Sequence, residues 1–375
     1  MLYKNANLFY DGKFIPGSFA VEGGRFTDVQ PDHRAQAEGI DLQQSRVIPG
    51  LVDIHTHGNS GADFSDGSLE GLETMARYLA KNGVTSFAPT SMTLPCETLA
   101  KAFATGRALA DDRPAGCARV MGINMEGPFF SEKKKGAQNG AYLRAPDFAA
   151  FKALYDGCGG LLRIVDVAPE LDGAEDFARE ASRLCTVSAA HTDADYEAAC
   201  RMFDAGATHV THLFNAMPPL HHRKPGVIGA ASERPNVVAE LICDGLHIHP
   251  SVIRAAFLLF PGRICIISDS LRCCGMPEGE YELGGQQVYL KGRLATLADG
   301  TIAGSASNLY DCLLVTINCG IAPETAILSS TLLPARELGR DDEIGSIEDG
   351  KFADFIVCGE SFERRAVYLG GEKIV

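Results

Sequence analysis

The sequence has too few positive charges for its length to read as a binder of polyanions. In 375 residues, 34 Lys and Arg stand against 48 Asp and Glu, a formal net charge of −14. That balance argues against nucleic acid or an anionic membrane as the main partner, and any anionic ligand needs a local basic pocket. No stretch approaches the roughly 18 apolar residues of a bilayer span. The opening MLYKNANLFYDGKF lacks the unbroken apolar segment of a secretory signal, so a cytoplasmic protein is expected. Glycine loops of the GxxxxGKS, GxxxxGKT or GxGxxG kind are missing, and so is a GxSxG elbow, which removes the usual signatures of nucleotide-dependent and serine-hydrolase chemistry. The 12 cysteines form no CxxC pair and are scattered through a long chain, so they read as reduced core thiols rather than a disulfide framework. Adjacent Cys273 and Cys274 read as ordinary packing.

What is present is an average globular composition, 46% apolar and 22% charged, with two kinds of punctuation. The first ~45 and last ~35 residues alternate short β-prone runs with glycine turns, such as LFYDG, FAVEGGRFTDVQ and RRAVYLGGEKIV, the pattern of antiparallel strands. Neither end alone would make a good core. The two ends are therefore expected to pair into one small β-domain, residues 1–47 with 336–375. Between them, over residues 48–335, short β-branched runs alternate with helical patterns. Eight strands are placed: VIPGLVDIH, VTSFAPTS, RVMGINME, LRIVDVAPE, TVSAAH, ATHVTHL, VVAELICDG and RICIISD. Helical segments such as LEGLETMARYLAKNG, DYEAACRMFDAG and PSVIRAAFLLFPG follow them and stop near glycine. Eight such units fit a TIM-like (β/α)8 barrel, whose active site lies at the C-terminal ends of the strands.

Polar residues gather at those ends. His55 and His57 close the first strand, Glu126 the third, His191 the fifth, His212 the sixth and Asp269 the eighth. Residues i and i+2 of a strand point to one side, so the HxH pair can aim two imidazoles at one metal. A single histidine would read as a hydrogen-bonded barrel residue, but five ligand-type residues and an aspartate at strand ends point to a divalent metal site. Asp269 suits a proton-transfer base and equally a helix N-cap. His209, three residues before His212, is expected on the opposite face and structural. His247 and His249 repeat the HxH spacing beyond the seventh strand, where strict alternation fails, so His247 reads as a substrate contact rather than a second metal ligand. Arg223 and Lys224 in HHRKPG supply a local basic cluster, although a solvated loop would look the same.

The motifs PGLVDIHTHG, NMEGPF, KKGAQN, AHTDA, THLFNAM, DGLH, SDS and GTIAGS, with GSIEDGKFADFIV near the end, resemble the N-acetylglucosamine-6-phosphate deacetylase family of the amidohydrolase superfamily. That resemblance implies a metal-dependent barrel with a small β-sandwich from both termini, acting on a phosphorylated amino sugar as a homodimer. It implies Glu126, His191 and His212 as ligands of a main divalent ion, zinc in first place with iron, manganese or cobalt as alternatives. His55 and His57, bridged through Glu126, would hold a second ion. It makes Asp269 the proton shuttle, and Arg223 the phosphate contact, reaching into the neighbouring subunit. Ala137, Gln138, Asn215, Ala216, His247, Ile302, Ala303 and Gly304 fall at sugar-binding positions, although Asn215 also suits a turn. The fourth strand carries no lysine that could be carboxylated to bridge metals, which leaves Glu126 as the bridge. In the family motif KKGAHN a histidine stands where this chain has Gln138, which opens the alternatives of the galactosamine epimer or another N-acyl substrate. A non-catalytic scaffold of the same fold is the remaining alternative.

Overall fold

The computed structural model of the protein describes residues 1–33 and 38–375. Its centre is a barrel of eight parallel strands: Leu51–Thr56, Val84–Ser91, Ile123–Phe129, Leu162–Val167, Thr186–Ala189, His209–Val210, Val238–Ile242 and Ile264–Ile267. They pair in chain order. The ring closes where Asp269 N donates to the His55 carbonyl and His57 N to the Ser270 carbonyl, both at 2.9 Å. Helices on the outside and side chains on the inside bury both faces, which is why the strands read as apolar runs rather than alternating ones.

The helices follow from amphipathic spacing and capping. In Leu69–Lys81, for example, Leu72, Met75, Ala76, Leu79 and Ala80 form the buried stripe, and the Ser68 side chain accepts from Gly71 N at the start. Asp195 caps the helix Tyr196–Asp204 in the same way, accepting from Ala198 N. At the N-terminal end of the barrel, Ala335 of the helix Leu332–Glu337 and the following Leu338 join Val52, Ile54, Ala88, Met121 and Ile164 in one apolar cluster. That plug fills the N-terminal end, and chemistry in this architecture is expected at the C-terminal mouth.

The termini build one eight-stranded sheet, in which Arg46–Pro49 pairs with both Leu2–Tyr10 and Phe355–Cys358. The run expected as one strand from Val47 to His55 is thus two, one in each sheet, broken at Gly50. A Cβ at Gly50 would lie 2.1 Å from Thr85 Oγ1, so the chain crosses from sheet to barrel at a contact only glycine permits. The strands Lys13–Glu22 and Phe355–Cys358 lie three ladder steps apart, about 14 Å in a flat sheet. Yet the rings of Phe19 and Phe355 are 5.0 Å apart. The sheet therefore folds over onto its own aromatic face, where Tyr3, Phe26 and Tyr368 complete the core.

A four-stranded antiparallel sheet, Gly279–Leu283, Gln286–Lys291, Leu294–Thr296 and Ile302–Ser305, intervenes between the eighth strand and its helix, Leu309–Asn318. The sequence analysis places no element over this segment, although ELGGQQVYL carries a Gly-Gly hairpin signal. Its Leu283, Val288, Leu290 and Ala295 pack on Met92, Ala137 and Leu271, roofing one side of the barrel mouth. Among the described residues no helix is long and apolar enough to cross a membrane.

Phe355→Ala should cost about 3–5 kcal/mol of stability, the usual penalty for emptying an aromatic core site. Leu258→Ala, at an 83% exposed position, should stay within about 0.5 kcal/mol. Denaturant midpoints compared between the two variants and wild type check this, and a Phe355 effect as small as that of Leu258 would mean the sheet does not close on its inner face.

Candidate metal centre

The strand ends do bring the expected residues together. Glu126 Oε1 lies 3.1 Å from Nε2 of both His191 and His212, and 3.4 Å from His55 Nε2. Its other oxygen, Oε2, lies 3.3 Å from His57 Nε2. Asp269 Oδ1 faces His57 Nε2 at 3.3 Å and His55 Nε2 at 3.6 Å. Two donor groups result, His55 with His57 and Glu126, and Glu126 with His191 and His212; all are buried, and the atoms within each group lie within 4.8 Å of one another.

Three of these sit in backbone conformations that side-chain-bearing residues rarely adopt. His191, His212 and Asp269 have φ of 44°, 30° and 48°, each just beyond a strand that ends earlier than the sequence suggested. The turn out of the barrel wall aims each side chain across the mouth, and strain of this kind gathers at functional sites. Behind Asp269, Gly304 comes so close that a Cβ would meet Leu271 Cδ2 at 2.9 Å and the Asp269 carbonyl at 3.1 Å. Ser305 N donates to that carbonyl at 2.8 Å, tying the inserted sheet to the aspartate.

The outer hydrogen bonds decide what the rings offer. His191 Nδ1 donates to the Lys134 carbonyl at 2.9 Å and His57 Nδ1 to the Thr90 carbonyl at 3.2 Å. A carbonyl only accepts, so in the neutral ring Nε2 carries a lone pair. His55 Nδ1 likewise donates to Glu240 Oε2 at 2.8 Å, and its buried Nε2 has no hydrogen-bond partner. Bare nitrogens thus converge on carboxylates, and the Nε2 atoms of His191 and His212 stand 3.2 Å apart. Only added positive charge makes that arrangement favourable, and a divalent cation with imidazole and carboxylate ligands supplies it. The residues fit such an ion.

Without an ion, the same demand for positive charge falls on protons. Burial disfavours charge on His55, but the Glu240 and Glu126 carboxylates outweigh it and hold the imidazole well above its usual range. Burial would raise Glu126, yet the charge of His55 and hydrogen bonds from His191 and His212 hold it well below the ordinary carboxylate range. Asp269 is lowered against burial by His57 and His55. It caps no helix, since no helix follows it until Leu309.

Other expectations are corrected in detail. His209 lies outside both donor groups, but not because it faces away from the barrel. Its Nδ1 bonds Ser188 Oγ at 3.0 Å, and Ser188, Thr211 and Asp166 continue an interior polar chain. His209 is inside, below the donor groups, because the left-handed turn at His212 breaks the alternation on which the opposite-face argument rested. His249 caps the helix Pro250–Leu259 by accepting from Ser251 N, whereas His247 lines the mouth and donates through Nδ1 to Asp244 Oδ2 at 2.8 Å.

Above the donors lies a cavity of about 310 Å³ lined by Ala137, Gln138, Asn215, Ala216, His247, Ile302, Ala303 and Gly304, all eight of the expected sugar-side residues. Asn215 also serves as a turn, donating through Nδ2 to the His212 carbonyl. Arg223 is exposed and outside this wall. Gln138 reaches past the cavity to Glu126 itself, donating to Oε2 at 2.5 Å. Sequence reasoning missed Glu240, Asp244 and Thr90 as the acceptors behind the rings. Glu240, the one charge inside the apolar run VVAELIC, was the available signal.

Comparison with known proteins matches this picture. Residues 46–374 match the model of the Amidohydrolase family. An N-acetylglucosamine-6-phosphate deacetylase of Bacillus subtilis is 35% identical over 97% of this chain and 94% of its own. An N-acetylgalactosamine-6-phosphate deacetylase of Escherichia coli O157:H7 is 32% identical, covering 87% of each. The solved structure of a Mycobacterium smegmatis N-acetyl-D-glucosamine-6-phosphate deacetylase mutant in complex with N-acetyl-D-glucosamine-6-phosphate superimposes with a TM-score of 0.93, at 28% identity over 100% of this chain and 99% of that one. The chain belongs to the amidohydrolase family, among its N-acetylglucosamine-6-phosphate deacetylases.

Proposed function

We propose that the protein hydrolyses the acetamide of N-acetylglucosamine-6-phosphate to glucosamine-6-phosphate and acetate, a step of amino-sugar catabolism. The observation that carries this reading is the convergence of His55, His57, His191 and His212 on Glu126 beneath a sugar-sized cavity. Glu126, His191 and His212 would hold the main ion, zinc before iron, manganese or cobalt, with His55, His57 and Glu126 able to hold a second. When bound, a divalent ion lowers the pKa of water and polarises an amide carbonyl.

The chain's own residues supply the rest. Asp269, ionised and at the cavity wall, accepts the proton of the attacking water at its carboxylate and returns it to the departing amine, which leaves poorly as an anion. His247, oriented by Asp244, and Asn215 present polar groups to the sugar, while Ala216 and the strand Ile302–Ser305 shape the opposing wall. Lys133 and Lys134 line the cavity and offer positive charge to a substrate phosphate, but among the described residues no arginine does. Exposed Arg223, in the loop that follows Asn215 and Ala216, supports a homodimer in which it reaches the partner's cavity. The 12 free cysteines suit a reducing cytoplasm.

The galactosamine-6-phosphate epimer is the second reading, favoured by Gln138 in the cavity wall and by the E. coli relative. Acetate release measured on both epimers decides between them; a higher kcat/KM on the gluco sugar is expected, and the reverse order would replace the first reading by the second.

Elemental analysis after metal-supplemented expression should find at least one divalent ion per chain. His212→Ala should lose the main ion while His209→Ala keeps it, and full activity after exhaustive chelation would refute the metal role. Asp269→Asn keeps shape but removes the base, so kcat should fall at least ~100-fold with substrate binding retained; near-normal turnover would exclude Asp269 as the shuttle. Arg223→Ala should reduce kcat/KM on the phosphorylated sugar by roughly 10- to 150-fold, the loss of a charge-assisted contact of ~1.5–3 kcal/mol. The same variant should leave unphosphorylated N-acetylglucosamine unaffected, and equal losses on both sugars would disprove a phosphate contact.

A further inference from the structure

Gln138 is buried, and its orientation is settled by two hydrogen bonds. Thr93 N donates to Gln138 Oε1 at 2.7 Å, which leaves Nε2 as the end that faces Glu126 and donates to its Oε2 at 2.5 Å. The surrounding loop is tied at two further points. The Ala137 carbonyl accepts from Gln286 Nε2 of the inserted sheet, and the Lys134 carbonyl accepts from His191 Nδ1.

The terminal torsion of a glutamate is soft, so a carboxylate can turn both oxygens toward one ion or offer one to each of two. Here Oε1 faces His55, His191 and His212, and Oε2 faces His57. Each of those contacts joins two atoms that would ligate an ion, so none of them restrains the torsion independently of the metal. The amide N–H of Gln138 is not a metal ligand, so its hydrogen bond to Oε2 does not compete with an ion. It occupies one lone pair of Oε2 and leaves the other free.

We propose that Gln138 is a positioning residue for the second ion: by holding Oε2 toward His57, it makes Glu126 a bridge between two ions rather than a two-oxygen ligand of the one at His191 and His212. This rests on the metal reading above. Histidine at this place would donate or accept according to its tautomer and charge, whereas the amide donates in every state. The lock is therefore independent of pH.

The test is a Co²⁺ titration of the metal-free full-length protein, followed by visible absorption and by equilibrium dialysis with elemental analysis. Wild type should take up two ions per chain. Gln138→Leu should keep the first at wild-type affinity and weaken the second by about 10- to 100-fold, the usual effect of removing a hydrogen bond behind a metal ligand. Gln138→Ala provides the same comparison should the Leu variant fail to fold, with thermal unfolding of the metal-free proteins as the control. Unchanged second-ion affinity, equal weakening of both ions, or a wild type that takes only one ion would each overturn the inference and leave the metal reading intact. A wild type that takes up no ion would overturn both.

Discussion

One buried carboxylate organises the molecule's working end. Glu126 sits where the imidazoles of His55, His57, His191 and His212 converge, and leaving that charge unpaired would cost several kcal/mol. Four rings with their far nitrogens tied back, or left free as at His212 Nδ1, turn that cost into a binding site for positive charge. The unusual backbone at His191, His212 and Asp269 serves the same end, since without the left-handed turns the side chains would stay in the barrel wall. Gly127, next to Glu126, has φ of 91° and would place a Cβ 2.1 Å from Thr93 Oγ1, so the same neighbour that orients Gln138 also packs against the turn beyond the carboxylate.

Around this centre the barrel provides rigidity and the excursions provide shape. The plug of Ala335 and Leu338 closes one end, and the inserted sheet roofs the other through contacts with Met92, Ala137 and Leu271. Roof and centre are mechanically joined, because Ser305 holds the Asp269 backbone and Gln286 holds the loop that carries Gln138. The cavity wall at Ile302, Ala303 and Gly304 therefore belongs to the sheet that holds both the Asp269 backbone and the loop carrying Gln138. Among the described residues, the sheet of the two termini contributes nothing to the cavity wall. Its aromatic core closes the chain on itself, as the contact of Phe19 with Phe355 shows.

Much of this was legible in the order of residues. Strand count, helix positions and the placement of His191, His212 and Asp269 just beyond strand ends follow from apolar runs, glycine stops and caps, which act over a few residues; Glu126, expected to close the third strand, lies inside it, because that strand runs on to Phe129. HxH spacing put His55 and His57 on one side because strand alternation is strictly local. What local rules could not reach were features set by distant segments. Gly50 divides one apolar run between two sheets because Thr85 lies across from it, and His209 shares the barrel interior with His212 because a turn interrupts the alternation. Glu240 and Thr90 became partners of the rings only when the barrel closed, whereas Asp244 holds His247 from within the same loop. Residue identity and spacing determined which chemical groups reach the mouth of the barrel. Which nitrogen the rings of His55, His57 and His191 present, and which way Gln138 and Glu126 face, was decided by hydrogen bonds between segments 12 or more residues apart, since those directions exist only once the fold has brought donor and acceptor together.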